Sequence, residues 1–327
     1  MRRITDRVVV ITGASSGIGR ATALAFARIG AGVVLAARGK EGLIEAAGEC
    51  EALGGRALGV PTDVTVEAEV QSLARMAVEH FGRIDLWVNN ASVNAIGMFE
   101  EAPPDVFRQV IETNLFGYVH GARAVLPYFR EQGAGILVNV SSMAARAPHP
   151  YSTAYIASKS AIDGLFEALR MELRLDGARD IHVCNVVPAV IDTPFFQHAA
   201  NFTGRAVKAM RPVYTPEEVA EAIVGLATAP RRDVIVGNSA RAMIAQHTTA
   251  PALYERTTPV YVENDMFAGR PAPISLGNVF APTGPTTVRG GWEGKESGAG
   301  LRKAALLAFA ATSALACLFT RPEKSSR

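Results

Sequence analysis

The sequence predicts a doubly wound α/β fold: a parallel seven-stranded sheet, Rossmann-like, with helices on both faces. Three observations carry this. Seven short apolar, β-branched runs occur at 8–12, 33–37, 57–60, 85–89, 136–140, 181–187 and 234–236. Helical patterns at 17–29, 41–53, 67–81, 105–130 and 153–175 separate them. Apolar runs alternating with helices are the pattern of parallel strands buried on both faces. Third, a glycine-rich turn links the first run to the first helix, Thr12-Gly13-Ala14-Ser15-Ser16-Gly17-Ile18-Gly19.

The bulk composition agrees with a large buried core, with 49% hydrophobic and 20% charged residues. A net charge of +2 creates no field that would favour nucleic acid as a partner. Cys50, Cys184 and Cys317 are far apart and odd in number. Their spacing argues against a disulfide framework and a zinc site, so reduced thiols in a cytoplasmic protein are expected. Met1-Arg2-Arg3 runs directly into the first strand, leaving no room for a secretory leader in the sequence as read.

At the first strand–helix junction the glycines permit a tight turn and close approach of backbone to a pyrophosphate. The helix N-terminus adds free N–H donors and a positive dipole end. The end of the second strand discriminates between dinucleotides. A carboxylate there suits the ribose 2′-hydroxyl of NAD, and a cation suits the 2′-phosphate of NADP. Leu35-Ala36-Ala37-Arg38 has the cation and no acid, which predicts NADP(H). After the third strand comes Thr62-Asp63-Val64, where Asp63 is either a ligand group or a simple helix cap.

Further along, Tyr155-Ile156-Ala157-Ser158-Lys159 places a phenol and an ammonium four residues apart, on one helix face. A free tyrosine has a pKa of roughly 10. A neighbouring cation is expected to lower it and make Tyr155 a general acid or base. Ser142 ends a strand thirteen residues before Tyr155, where its hydroxyl can polarise a substrate carbonyl. Thr215-Pro216-Glu217-Glu218 is a capping box and opens a last helix.

The T-G-x-x-x-G-I-G turn followed by Asn114, Ser142, Tyr155 and Lys159 resembles the short-chain dehydrogenase/reductase family, over about 5–236. The resemblance implies an oxidoreductase interconverting an alcohol and a carbonyl with NADP(H), assembled as a homo-oligomer. The alternative is a catalytically silent NADP-binding protein of the same fold. It implies that Gly13, Ser15, Ser16, Gly17, Ile18, Gly19 and Arg38 contact the cofactor. Asp63 and Val64 would meet the adenine, and Asn114 would anchor a relay water to Lys159, which holds the ribose. Asn90 and Ala91 lie in N-N-A-S, where Ser92 replaces a glycine of the family pattern. Pro188, Ile191 and Thr193 lie in P-A-V-I-D-T, which would receive the nicotinamide carboxamide, with Ala189 replacing glycine.

After Thr193 comes the family's substrate lid. Phe195, Phe196, Phe202 and Met210 either line an apolar pocket or pack the lid to the core, and His198 is a pocket donor or a surface histidine. With 1–238 assigned to the catalytic domain, 239–303 is expected to be an irregular Pro/Gly-rich extension, lying on the domain or acting as a linker. Uncharged residues 304–320, between Arg302-Lys303 and Arg321, are expected to form a helix that anchors in a membrane or buries against protein.

Overall fold

The computed structural model describes residues 4–292. Its centre is a parallel sheet of β1 (Val8–Thr12), β2 (Gly32–Ala37), β3 (Arg56–Pro61), β4 (Leu86–Asn89), β5 (Gly135–Val140), β6 (Ile181–Pro188) and β7 (Asp233–Val236). The strand order is β7-β6-β5-β4-β1-β2-β3. Strand β1 therefore pairs with both β2 and β4, Val9 standing opposite Val33 on one side and Leu86 on the other. There the winding reverses, and a crevice opens at the carboxyl ends of β1 and β4.

Successive residues of β1 serve opposite layers. Val9 and Ile11 pack with Phe26, Leu43, Val219 and Ile223 of α1 (Gly17–Arg28), α2 (Lys40–Ala52) and α7 (Pro216–Thr228). Val8 and Val10 pack with Leu73, Val125 and Phe166 of α3 (Glu67–Phe81), α5 (Gly117–Gln132) and α6 (Thr153–Leu175). All five β1 residues are buried, which is why the strand reads as a continuous apolar run. The capping box of α7 forms as expected, the Thr215 hydroxyl accepting from the Glu218 N–H at 3.3 Å.

Three asparagines stand in register across β4, β5 and β6. Asn89 Nδ2 donates to Asn139 Oδ1 at 3.0 Å, and Asn139 Nδ2 donates to Asn185 Oδ1 at 3.3 Å. Trp87 Nε1 donates to Asn89 Oδ1 at 2.8 Å. This polar row is tolerable in a core because its members bond one another, with only the terminal Asn185 Nδ2 left without a partner among the described residues.

Two expectations are corrected. The helix over 105–130 is broken into α4 (Pro104–Ile111), a π-helical turn at Glu112–Phe116, and α5. The widened turn holds Asn114, whose side chain bonds the backbone of Val93. Second, the extension is not irregular throughout. It begins with α8 (Asn238–Thr249), α9 (Pro251–Asp265) and β8 (Phe267–Pro271), the last paired antiparallel with Arg205–Val207. The prolines mislead here. Pro251 occupies the first turn of α9, where no N–H bond is lost. Tyr254, Thr258 and Val262 are the helix's buried residues, spaced by four. Residues 272–292 then lie on the domain as a strap, so between extension and linker the structure decides for the former over this span. The apolar stretch 304–320 lies outside the described residues. Among those described, no helix is long and apolar enough to cross a membrane.

Gly121 tests the polar row. A Cβ there would fall 2.2 Å from Asn89 Oδ1 and 2.6 Å from Trp87 Nε1. Gly121→Val should therefore lower unfolding free energy by about 2–4 kcal/mol, through overpacking plus broken buried hydrogen bonds. Urea denaturation measures this, and a loss below ~0.5 kcal/mol would mean the row yields at no cost.

Candidate active site

The crevice at the switch point is one cavity of about 560 Å³. Every site residue predicted from sequence lines it except Gly19 and Asn114. Those two act from behind the wall. A Cβ on Gly19 would lie 2.2 Å from the Gly13 carbonyl oxygen, so only glycine lets α1 start so close to β1. Asn114 is fully buried, accepting from Val93 N–H at 2.8 Å and donating to Val93 O at 2.9 Å and Ser158 Oγ at 3.1 Å. Its amide is spent on joining the loop after β4 to α6.

The Asn90 side chain is equally occupied. It donates to the carbonyls of Thr12 at 2.9 Å and Gly13 at 3.2 Å, while the Thr12 hydroxyl accepts from the Asn90 N–H at 3.0 Å. The ends of β1 and β4 are thereby locked together under the glycine turn. At the start of α1 the Gly17 N–H donates to the Thr287 carbonyl at 3.0 Å. The N–H groups of Ile18 and Gly19 have no partner among the described residues, leaving two donors at a helix N-terminus for an anion.

At the other end, the Arg38 guanidinium donates to the carbonyls of Asn278 at 2.5 Å and Val279 at 3.3 Å. Burial lowers its pKa, and the charge of Asp63 acts in the opposite sense. Asp63 accepts from the N–H and hydroxyl of Thr65 at 2.9 and 2.8 Å, a turn-stabilising role on one carboxylate oxygen.

Tyr155 and Lys159 project from α6, and Ser142 stands at the end of β5. The Ser142 hydroxyl accepts from the Ala144 N–H at 3.1 Å, which orients it. Lys159 is 1% exposed, so its ammonium is wholly dependent on protein partners. It donates to Tyr118 Oη at 3.0 Å and Val140 O at 2.9 Å, and lies 5.7 Å from the Tyr155 ring centre. Burial pulls its pKa down to about 7, opposed by Asp163. The expected lowering of the Tyr155 pKa does not occur. Burial pushes the phenol up to about 12, and the Ser142 hydroxyl beside it pulls down less strongly. Desolvation of the phenolate outweighs the Ser142 hydrogen bond, and the Lys159 ammonium is itself driven toward its neutral form by burial.

The substrate half of the cavity is aromatic. Phe195 lies 5.5 Å from Tyr155 and Phe196 lies 5.7 Å from Phe195, between ring centres. Met210 also lines it, whereas Phe202 packs with Val93 and Val106 in a small core cluster. His198 is half-buried on the cavity wall, and its Nε2–H is engaged by the Pro285 carbonyl at 2.9 Å, so it is not a free donor there. Sequence reasoning missed Tyr118, His149 and the strap. The phenol of Tyr118 lies one helical turn after Asn114, a spacing visible in the sequence. His149 has its Nδ1 2.8 Å from the Pro150 carbonyl, and burial lowers its pKa, so its Nε2 is an acceptor on the cavity wall. The departure Ala189 is accommodated by Gly237, whose own Cβ would fall 2.7 Å from the Ala189 methyl.

A phosphate-sized turn, a buried lysine and a phenol–hydroxyl pair at the switch point of a doubly wound sheet define an oxidoreductase-type domain. Comparison with known proteins makes this specific. Residues 7–203 match the family model described as short chain dehydrogenase. The uncharacterized oxidoreductase YxnA of Bacillus subtilis is 36% identical over 274 residues, covering 83% of this chain and 77% of that one. Dehydrogenase/reductase SDR family member 7B of Bos taurus is 32% identical, covering 77% and 80%. Among solved structures, a short chain dehydrogenase/reductase from Burkholderia phymatum in complex with NAD superposes with a TM-score of 0.69. It is 28% identical and covers 77% of this chain and 96% of that one. The alcohol dehydrogenase of Thermococcus sibiricus, complexed with 5-hydroxy-NADP, has a TM-score of 0.61 at 28% identity, covering 70% and 95%. The chain belongs to the short-chain dehydrogenase/reductase family and is an oxidoreductase of that type.

The buried ammonium has a consequence for stability. Its pKa falls from 10.5 to about 7 on folding, so between those values the unfolded chain holds the extra proton. Stability then rises with pH across that window. The melting temperature of the protein should show this rise between about pH 7 and 9, and Lys159→Met should lack it. Above that range the buried thiols Cys50 and Cys184, pushed from 9 up to about 11, act in the opposite sense. Parallel curves for the two proteins would show that the ammonium is not desolvated.

Proposed function

We propose that the protein is an NADP(H)-dependent reductase of apolar ketones or aldehydes. The observation that carries this reading is the pairing, in one cavity, of Arg38 at an acid-free end of β2 with Ser142, Tyr155 and Lys159. The cavity fits a nicotinamide dinucleotide. Ile18 and Gly19 offer N–H groups to the pyrophosphate, and Arg38 offers its remaining donors to the 2′-phosphate. Asp63 and Val64 would flank the adenine, and Pro188, Ile191 and Thr193 would meet the carboxamide end. The bound cofactor supplies or accepts the hydride.

Tyr155, held protonated by burial, gives its proton to the carbonyl oxygen as that oxygen becomes an alkoxide. Ser142 donates to the same oxygen and stabilises the developing charge. Lys159 holds the ribose and, through its charge, the phenolate left behind. Near neutral pH the phenol is in the protonated form that reduction of a carbonyl requires. Phe195, Phe196 and Met210 favour an apolar substrate body. Exposed Phe116, Leu165, Met171 and Leu175 on or beside α5 and α6 support assembly into a homo-oligomer through those helices.

Two measurements test the reading. Tyr155→Phe should lower turnover of a carbonyl panel by ~100-fold or more while leaving cofactor affinity nearly intact, a typical general-acid contribution. Wild-type turnover in this variant would remove Tyr155 from the chemistry. A lost charge-assisted contact to phosphate is worth ~1.5–3 kcal/mol, so Arg38→Ala should weaken NADPH ~10- to 100-fold more than NADH. Fluorescence titration decides this, and equal losses would mean that Arg38 does not read the phosphate.

A further inference from the structure

The strap is rooted by Val279, buried with Val93, Val106 and Val110, and by an Arg289–Glu217 ion pair. Beyond these, residues 278–292 touch chiefly the segments that make the cavity. Its route starts at Arg38, where the Asn278 and Val279 carbonyls accept from the guanidinium. Pro282 packs over Gly39, and Thr286 packs against Gly42. The Thr286 carbonyl accepts from Arg20 at 2.5 Å, and its hydroxyl donates to Glu45 at 3.1 Å. Thr287 then receives the Gly17 N–H at the head of α1. At the far end, Gly290 N–H donates to Asp192 O at 3.3 Å and Trp292 N–H to Asp192 Oδ1 at 2.7 Å. The Trp292 indole donates to Thr193 O at 2.9 Å. The strap thus spans the groove from the end of β2 to the loop after β6.

We propose that residues 278–292 are a clasp over the dinucleotide, so that cofactor enters and leaves only when this segment lifts. This rests on reading the cavity as the dinucleotide site. The clasp roofs the groove without filling it. It takes only the Gly17 N–H of the turn and leaves those of Ile18 and Gly19. Beneath it, with Thr283–Thr286 in its wall, remain about 560 Å³, a volume in the ordinary range for an enclosed small-molecule site. A plug would consume the pyrophosphate donors and close the space.

The composition of the segment follows from this close fit. A Cβ on Gly290 would fall 2.3 Å from Thr193 O, so the strap can reach the nicotinamide end only through glycine. The clasp also meets the substrate side. Trp292 packs edge-on to Phe196 at 6.2 Å, extending the chain Tyr155–Phe195–Phe196. Lifting the clasp therefore removes a support of the substrate lid, and cofactor exchange loosens both halves of the site. Because the clasp must lift for the cofactor to pass in either direction, it slows association as well as release.

A reversible lock tests the clasp. A Cβ at Gly42 would lie 3.2 Å from Thr286 Cβ. That is close to the ~3.5–4.5 Å of a disulfide. Gly42→Cys/Thr286→Cys is made in the full chain with Cys317→Ser, since Cys50 and Cys184 are buried. Stopped-flow fluorescence follows binding and release of NADPH and of NADH, and mass spectrometry scores the disulfide. Oxidation should slow both rates at least tenfold for both dinucleotides, and dithiothreitol should restore them. Gly290→Val, which displaces the strap from Thr193, should speed both at least tenfold with its melting transition retained. Rates that are the same when oxidised and reduced, or unchanged in Gly290→Val, overturn the clasp. A wild-type preference for NADH would overturn the Arg38 reading alone, because the clasp is scored on rates common to both dinucleotides.

Discussion

Strand β1 is paired on both sides and buried on both faces, and the rest of the molecule is arranged around that constraint. Its neighbours β2 and β4 belong to opposite halves of the winding. The chain leaves β1 over one face of the sheet and reaches β4 from the other, so the helices diverge and a crevice opens at the strand ends. The Thr12–Asn90 bonds close the floor of that crevice. The glycine turn brings the head of α1 over it, and α6 delivers Tyr155 and Lys159 to its side.

Burial governs the electrostatics of the site. One cation is sunk among Tyr118, Val140 and Tyr155, where its charge is costly and its pKa falls to about 7. The phenol beside it is desolvated too and rises to about 12. A pairwise rule, cation lowers phenol, fails here because both groups sit in the same poorly solvated place. A bound polar ligand would resolvate them, which makes their protonation sensitive to what occupies the cavity.

The strap extends the same logic outward. Its carbonyls meet donors that the doubly wound core leaves at its rim, namely the guanidinium of Arg38 and the first N–H of α1. The segment is ordered because Val279 is buried in a small cluster with Val93, Val106 and Val110 and its flanks are tied by hydrogen bonds to the rim of the crevice. The asparagine row and the Asn114 bridge do for the interior what the strap does for the rim, satisfying polar groups that parallel strands and helix ends leave over.

Much of this was legible in the sequence. Consecutive apolar residues in 8–12 and 33–37 can be buried only from two sides, so the layer structure follows from pattern alone. The cavity wall was readable as well, because Gly13–Gly19, Ser142, Tyr155 and Lys159 are placed by strand ends and one helical turn, which are local geometry. Three things depended on tertiary structure. The protonation of Tyr155 and Lys159 depends on burial, which no spacing encodes. The helices at 238–265 depend on a face such as Tyr254, Thr258 and Val262 finding a core to meet, against the local signal of Pro251 and Pro259. The strap is held by backbone carbonyls bonded to residues some 240 positions away, and backbone groups are the same in every sequence. Local pattern determined the sheet and the residues at its edge; long-range packing decided their charge and what covers them.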